Sequence, residues 1–223
     1  MASNKPEDKG LRNTVIGTVL FIVVALVGVS LYTNSAKNAT LPGGTSKSDG
    51  YGITFNSEAT PQIDIWEDFQ CPICKTFEGI NNSYVNDLAT SGKAKVVYHP
   101  MAFIGAESVT AANAAACSNE EGKFIQFHKA LYENQSPTEN SGKWTSDAMI
   151  SLGKSVGITT KSFETCVKDA KFGDWIKKIE NDASSKNVNA TPTVFINGKE
   201  IDRQTQYMNA DAFKAAVEAA RTK

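Results

Sequence analysis

Two cysteines separated by two residues are the part of this chain best suited to chemistry. Cys71-Pro-Ile-Cys74 follows an apolar run, Gln62 to Phe69, that predicts a β-strand, and the motif falls at the start of the next predicted helix. Thiols at this spacing can close into a small disulfide ring and reopen, and the helix N-terminus stabilises a thiolate on the first sulfur. The motif therefore indicates exchange of electron pairs with other thiols, although zinc sites use the same spacing.

Composition limits the other functions that the chain could have. Its 223 residues fit one ordinary domain with an appendage, and 41% apolar and 21% charged residues are typical of a globular protein. A net charge of −1 predicts no nucleic-acid partner and no polybasic membrane contact. Four cysteines are too few for a disulfide-built scaffold but suffice for one reactive pair and one structural bridge.

An uncharged apolar segment near the N-terminus predicts the cellular compartment of the cysteine-containing domain. Residues 14–34 are long enough for a transmembrane helix, since roughly 20 residues at about 1.5 Å each span a bilayer core. Lys5, Lys9 and Arg12 precede the segment, so residues 1–13 are predicted as a cytoplasmic tail. A cleaved signal peptide is the alternative, but the residues that follow make poor cleavage sites. With either interpretation the rest of the chain is exported to a compartment outside the cytoplasm, in which disulfides persist.

The remaining chain is divided by composition and periodicity. Residues 35–50 are rich in Ser, Thr, Asn and Gly and are predicted as a linker, and residues 51–223 as the exported domain. The domain's pattern is strand, helix, strand, a helical block at about 104–186, a hairpin turning at Asn197-Gly198, and a final helix. The first strand is expected over residues 51–55. This order predicts an α/β fold with a mixed central sheet and a helical insertion.

Three motifs together give the domain a family resemblance. They are Glu67-Asp-Phe-Gln-Cys71-Pro-Ile-Cys74, the block from Gly122 to Leu131, and Ala190-Thr-Pro-Thr-Val-Phe-Ile-Asn-Gly198. With them the chain resembles the DsbA-like branch of the thioredoxin superfamily, and more closely its membrane-anchored Gram-positive and actinobacterial members. The resemblance implies a thioredoxin fold and a protein disulfide oxidoreductase that oxidises exported proteins. A membrane quinone-linked reoxidase of the DsbB or vitamin K epoxide reductase type would restore its disulfide.

The resemblance also implies roles for individual residues. Cys71 would be the exposed nucleophile and Cys74 its buried partner. Thr191-Pro192 would be joined by a cis peptide bond and would bind an extended substrate beside Cys71, whereas the plain alternative is a trans loop proline. Relatives also suggest a structural disulfide between Cys117 and Cys166, the pairing that leaves Cys71 free to cycle with Cys74; two separate buried thiols are the alternative.

Two departures from the family pattern leave the direction of electron flow open. Ile73 stands where DsbA-type oxidases often have a histidine, so it supplies no charge to the thiolate. Ile65 stands where related sites often have a buried carboxylate, and Glu67, on the same strand face, is expected to substitute. Pro72, Ile73 and Glu67 are therefore candidate modulators of the site. His99 and His128 are interpreted as structural residues of the core.

Three other functions remain open from sequence alone. The same chemistry run in reverse would make a thiol reductase, for example one that serves cytochrome maturation. An extracytoplasmic copper or zinc carrier would need a third ligand beside the two thiolates. An inactive peptide-binding module would not need Cys71 at all. For the leading function we expect no cofactor and no metal.

Overall fold

The chain is described by a computed structural model that covers residues 9–37 and 39–221. In its first range, side chains are described at positions 13, 14, 16–26 and 28–30. The chain divides into a unit that ends at Asn38 and a compact unit that begins at Ala39. The first unit contains helix α1 (Lys9–Lys37), whose described side chains are exposed.

The described residues include no helix that is both long and apolar enough to cross a membrane. The transmembrane helix predicted over residues 14–34 is therefore not confirmed. Of the tail predicted over residues 1–13, the first eight residues lie outside the described ranges.

The compact unit alternates strands and helices and then inserts a run of helices. In chain order its described elements are β1 (Ile53–Phe55), β2 (Gln62–Asp68), α2 (Pro72–Ser91), β3 (Lys95–Met101), α3 (Ala106–Glu120), α4 (Phe124–Glu133), α5 (Ser146–Ser155), α6 (Lys161–Lys168), α7 (Gly173–Ser185), β4 (Thr193–Ile196), β5 (Lys199–Glu200) and α8 (Ala210–Arg221).

The five strands form one mixed sheet in the order β1-β3-β2-β4-β5. Strands β2 and β3 run parallel, while β1 with β3, β2 with β4, and β4 with β5 pair antiparallel. The predicted thioredoxin-like α/β fold with a mixed sheet is thus confirmed. The first strand starts later than expected because Tyr51 has φ 64°, a left-handed conformation that a strand does not admit.

The helical insertion, α3 to α7, lies between β3 and β4, as the sequence pattern predicts. Its central helix is α3, which packs against α4, α5, α6 and α7. Because helices surround it, α3 is buried on nearly every side and uses small alanines, such as Ala111 and Ala115, instead of a single apolar stripe. A disulfide between Cys117 of α3 and Cys166 of α6 joins two of these helices across a sequence separation of 49 residues.

Most of the segment predicted as a linker, residues 39–50, belongs to the compact unit and contacts its other residues. The backbone N–H of Gly43 donates to Glu120 Oε1 at 2.7 Å, and Asn119 Nδ2 donates to the Gly43 carbonyl at 2.9 Å. Thr45 forms an isolated antiparallel bridge with Ile53. In the structure the compact unit therefore begins at Ala39, earlier than the expected start at residue 51.

Candidate active site

A tight turn after β2 places Cys71 at the N-terminus of α2. The Cys71 N–H donates to the Asp68 carbonyl at 2.9 Å, and the Gln70 N–H donates to Asp68 Oδ1 at 2.8 Å. Cys71 is the N-cap residue, in extended conformation, and Pro72 follows in the first helical turn. Proline fits there because an N–H at that position would have no partner inside the helix.

The position of Cys71 makes its sulfur a stabilised thiolate. The Cys74 N–H donates to Cys71 Sγ at 3.5 Å. The hydrogen bond from the Cys74 side chain contributes most to lowering the pKa of Cys71 from 9.0 to about 6, and the backbone N–H groups of Cys74 and Ile73 assist while burial opposes. At neutral pH the Cys71 thiolate therefore predominates. Ile73 lowers the pKa of Cys71 through its backbone N–H. Its apolar side chain carries no charge and is 57% exposed.

Cys74 has the opposite character. It is fully buried, and Cys71, which was expected to be exposed, is also largely buried, with 8% of its surface exposed. Burial raises the pKa of Cys74 well above its usual range, and the negative charges of Cys71 and Glu67 raise it further. Both cysteines are free thiols in the structure, so the described state is the reduced one. The pair thus combines one reactive sulfur with one sulfur that holds its proton.

The Thr191-Pro192 loop faces the reactive sulfur. The peptide bond between the two residues is cis, and the Thr191 carbonyl lies 3.6 Å from Cys71 Sγ, close enough to accept a hydrogen bond from the thiol form. Thr191 is partly exposed and Pro192 is buried. Arg203 holds the loop, because its Nη1 donates to the Pro192 carbonyl at 2.9 Å and its Nη2 donates to Thr193 Oγ1. Sequence reasoning missed Arg203.

The helical insertion also holds the active-site turn, through side chains that sequence reasoning missed. Gln135, which follows α4, donates from Nε2 to the carbonyls of Phe69 at 2.7 Å and Cys71 at 3.0 Å. Gln70 donates to Ser108 Oγ of α3 at 2.9 Å. No sequence signal marks Gln135, because its role depends on how the insertion packs on the turn.

Three buried ionisable side chains, one each from β2, α4 and α2, form a cluster; we refer to Glu67, His128 and Glu78 as the proton cluster. His128 Nε2 forms a hydrogen bond with Glu67 Oε1, and His128 Nδ1 lies 3.8 Å from Glu78 Oε2. Glu67 is the candidate modulator from sequence, and His128 the expected core histidine. Sequence reasoning missed Glu78, although its position four residues after Cys74 puts both on one helix face.

Burial and mutual charge set the protonation of the proton cluster. Burial raises the pKa of Glu78 to about 7, with the Glu67 charge adding to the rise and His128 opposing it. Burial by itself would lower the pKa of His128, but the charges of Glu67 and Glu78 outweigh it and the pKa is raised. Glu78 can therefore gain or lose a proton near neutral pH, and its charge and that of Glu67 favour the protonated form of His128.

The proton cluster also has the composition of a metal site. Among the described residues it is the only set of three or more potential ligands whose donor atoms all lie within 4.8 Å of one another. Two of its donors are already hydrogen-bonded to each other. The set contains neither Cys71 nor Cys74, so within the described residues the cysteine pair has no third ligand of the kind that a metal carrier would need.

Known proteins resemble this chain over most of its length. A family model described as thioredoxin matches residues 52–219. The chain is 27% identical over 176 residues to the disulfide bond formation protein D of Bacillus subtilis, covering 76% of each protein. The reduced disulfide bond oxidoreductase DsbG of Mycobacterium tuberculosis has a TM-score of 0.65 and 26% identity, with 78% of this chain and 89% of that one covered.

A further solved structure shares the fold. The MdbA thiol-disulfide oxidoreductase of Actinomyces oris superimposes with a TM-score of 0.70 at 23% identity, covering 82% of this chain and 94% of that one. These matches confirm the resemblance to DsbA-like oxidoreductases of Gram-positive and actinobacterial type.

Proposed function

Because this chain belongs to the thioredoxin family and is a protein disulfide oxidoreductase, we propose that it oxidises thiol pairs of exported proteins to disulfides. The observation that carries the proposal is the contrast between the two sulfurs. Cys71 is stabilised as a thiolate, with a pKa of about 6, while Cys74 is a buried thiol of high pKa. A stabilised thiolate is a good leaving group and favours the reduced enzyme, which makes its disulfide a strong oxidant.

The reaction proceeds by two thiol–disulfide exchanges. A substrate thiolate attacks Sγ of Cys71 in the Cys71–Cys74 disulfide, so that a mixed disulfide forms and Cys74 leaves and takes up a proton. A second substrate thiolate then attacks the substrate sulfur of the mixed disulfide, and Cys71 leaves as a thiolate. Two electrons pass from the substrate to the enzyme, and the substrate gains one disulfide. A low pKa for Cys71 favours the second exchange.

The substrate peptide would lie along the Thr191-Pro192 loop. Thr191 is partly exposed, and its carbonyl lies within hydrogen-bonding distance of Cys71 Sγ, so a strand laid against this backbone has its sulfur beside the nucleophile. The hydrogen bonds from Arg203 keep the loop in place without using the edge of Thr191. These contacts favour extended, unfolded or reduced substrates over folded ones.

We further propose that the enzyme acts outside the cytoplasm, held by a single membrane helix over residues 14–34 with its N-terminus in the cytoplasm. The uncharged segment and the basic residues before it support this arrangement. A quinone-linked membrane protein of the DsbB or vitamin K epoxide reductase type would accept the electrons from Cys71 and Cys74. Anchoring is tested by washing membranes at high pH: retention of the full chain supports it, and release into the wash contradicts it.

The direction of electron flow is tested by the redox state of the two cysteines in cells. Acid quenching followed by alkylation with a mass tag separates oxidised from reduced protein on a gel. An oxidase restored by its membrane partner is mostly oxidised and takes up no tag before reduction. A reductase would be mostly reduced and would take up two tags. A Cys117→Ser/Cys166→Ser variant serves as the matched control, because any tags that it takes up can come only from Cys71 and Cys74.

A further inference from the structure

Strand β5 ends before it reaches the Thr191-Pro192 loop. One hydrogen bond, from the Ile201 N–H to the Val194 carbonyl at 3.1 Å, extends its pairing with β4. The chain then turns away, with Asp202 Oδ1 accepting two backbone N–H groups of the turn. Continued in this register, β5 would accept the N–H of Val194 and donate to the carbonyl of Pro192. Because both residues are buried, their main-chain groups need other partners.

Two side chains from the turn take the place of a longer β5; we refer to Arg203 and Tyr207 as the loop clamp. Arg203 Nη1 donates to the Pro192 carbonyl at 2.9 Å, and its Nη2 donates to Thr193 Oγ1. The Val194 N–H donates to the Tyr207 hydroxyl at 2.7 Å. The loop clamp therefore satisfies the two main-chain groups that a continued strand would pair.

Both members of the loop clamp are themselves fixed by further contacts. Arg203 Nε donates to Glu200 Oε1 at 2.8 Å, and the guanidinium lies 5.6 Å from the centre of the Tyr207 ring. Tyr207 is buried, and its ring packs edge-on against Phe77 of α2. Its carbonyl accepts a hydrogen bond from Asn81 Nδ2 of α2 at 2.9 Å. The loop clamp thus joins the loop to the helix that begins next to the nucleophile.

Successive carbonyls of the loop face different partners. The Pro192 carbonyl accepts from Arg203, whereas the Thr191 carbonyl lies 3.6 Å from Cys71 Sγ. The loop clamp therefore holds the loop from the side of β5 and leaves the side of the nucleophile open to an extended peptide. Displacement of the loop would move a bound peptide away from the sulfur, and a misplacement of about 1 Å can slow a reaction by about 100-fold.

We propose that Arg203 and Tyr207 are positioning residues that set the Thr191-Pro192 loop for binding of a peptide substrate beside Cys71. The proposal rests on the thiol oxidation proposed above. Both side chains act through the loop, because the contacts described above join them to the loop, to Glu200 and to α2. Substrates that bind through their main chain depend on the loop clamp, whereas a small dithiol without a peptide main chain does not.

A single-turnover comparison of two substrates tests this role. The oxidised full chain is mixed with a short extended peptide that carries two cysteines, or with dithiothreitol. In both reactions two substrate thiols become one disulfide while the Cys71–Cys74 disulfide is reduced to two thiols. Acid quenching and mass spectrometry measure the oxidised substrate. The dependence of the rate on peptide concentration gives the half-saturating concentration and the limiting rate separately.

The first variant is Arg203→Met, which keeps much of the length of the side chain and removes its donors. We expect the half-saturating peptide concentration to rise about tenfold, while the limiting rate and the rate with dithiothreitol change by less than about twofold. Arg203→Lys should give an intermediate value, because one ammonium group does not reproduce the fork of the guanidinium. Lys199→Met is the matched control, because it removes an exposed positive charge from β5 and should leave all three quantities unchanged.

The second variant is Tyr207→Phe, which keeps the buried ring and removes only the acceptor of the Val194 N–H. It should raise the same half-saturating concentration, so the proposal can be decided even if Arg203→Met does not fold. An unchanged concentration in Tyr207→Phe and Arg203→Lys would overturn the proposal. Equal slowing with peptide and dithiothreitol would also overturn it, since that result indicates a general disturbance of the site. A wild-type protein that does not oxidise the peptide would instead refute the proposed function, so the two failures are distinguishable.

Discussion

Removing the Cys74 thiol should weaken the acidity of Cys71 in a measurable way. The hydrogen bond from the Cys74 side chain is the largest influence that lowers the pKa of Cys71 to about 6. A hydrogen bond to a charged group contributes about 1.5–3 kcal/mol, and about 1.4 kcal/mol corresponds to one pH unit. Cys71 keeps a small exposed fraction, 8%, so water screens part of this energy. We therefore expect Cys74→Ala to move the Cys71 titration upward by roughly one pH unit.

The assay is the rate of iodoacetamide alkylation as a function of pH, with thiolate absorbance as a second readout. Cys74→Ser is the matched control, because its hydroxyl group can still donate to the thiolate and should keep the titration close to that of the wild type. The backbone N–H groups of Cys74 and Ile73 remain in both variants, so neither should reach the value of a free thiol. An unchanged titration in Cys74→Ala, or an equal rise in both variants, would refute the reasoning.

Three further predictions concern stability. Replacing both Cys117 and Cys166 by Ala should lower the free energy of unfolding by about 2–4 kcal/mol in urea titrations while leaving alkylation of Cys71 unchanged; equal stability would contradict a structural role. Gln135→Ala, which removes two hydrogen bonds to the active-site turn, should cost roughly 1–3 kcal/mol in the same titration, whereas an exposed control such as Glu133→Ala should cost almost nothing. Because folding lowers the pKa of Cys71 from 9.0 to about 6, its thiolate stabilises the reduced protein in full above about pH 9, and this gain declines as the pH falls until it is lost near pH 6. The stability of the reduced protein relative to the oxidised protein should therefore fall between pH 7 and pH 5, by less than about 1.4 kcal/mol after screening, and a pH-independent difference would count against the lowered pKa.

The parts of the fold that sequence predicts are those governed by local rules. The strand before Cys71, the helix after it and the Asn197-Gly198 turn all follow from periodicity, proline placement and turn chemistry. The sequence indicates helix α3 only as part of a helical block, because a helix buried on nearly every side carries no apolar stripe. Tyr51 is wrongly predicted in a strand because a pattern of residue types does not reveal a positive φ.

The residues of the candidate site likewise fall into those that belong to local motifs and those that are positioned by tertiary contacts. Cys71, Cys74 and Thr191-Pro192 belong to short motifs, so the sequence singles them out as candidates, and their roles follow from the family resemblance. The sequence predicts His128 only as a core histidine, because an apolar helix face does not reveal which polar group lies opposite, and here that group is Glu67. Gln135 and Arg203 act on backbone carbonyls that are brought near them only by the tertiary fold. Long-range polar contacts of this kind leave no local pattern.

The most direct test of the account is the redox equilibrium of Cys71 and Cys74 against glutathione. Reduced and oxidised fractions can be measured in glutathione buffers of known ratio, with Cys71→Ser as the blank. A stabilised Cys71 thiolate predicts a reduction potential above about −180 mV, on the oxidising side of protein disulfide isomerase. A potential near that of thioredoxin, about −270 mV, would contradict the proposed oxidation of exported thiols and would make the enzyme a reductase.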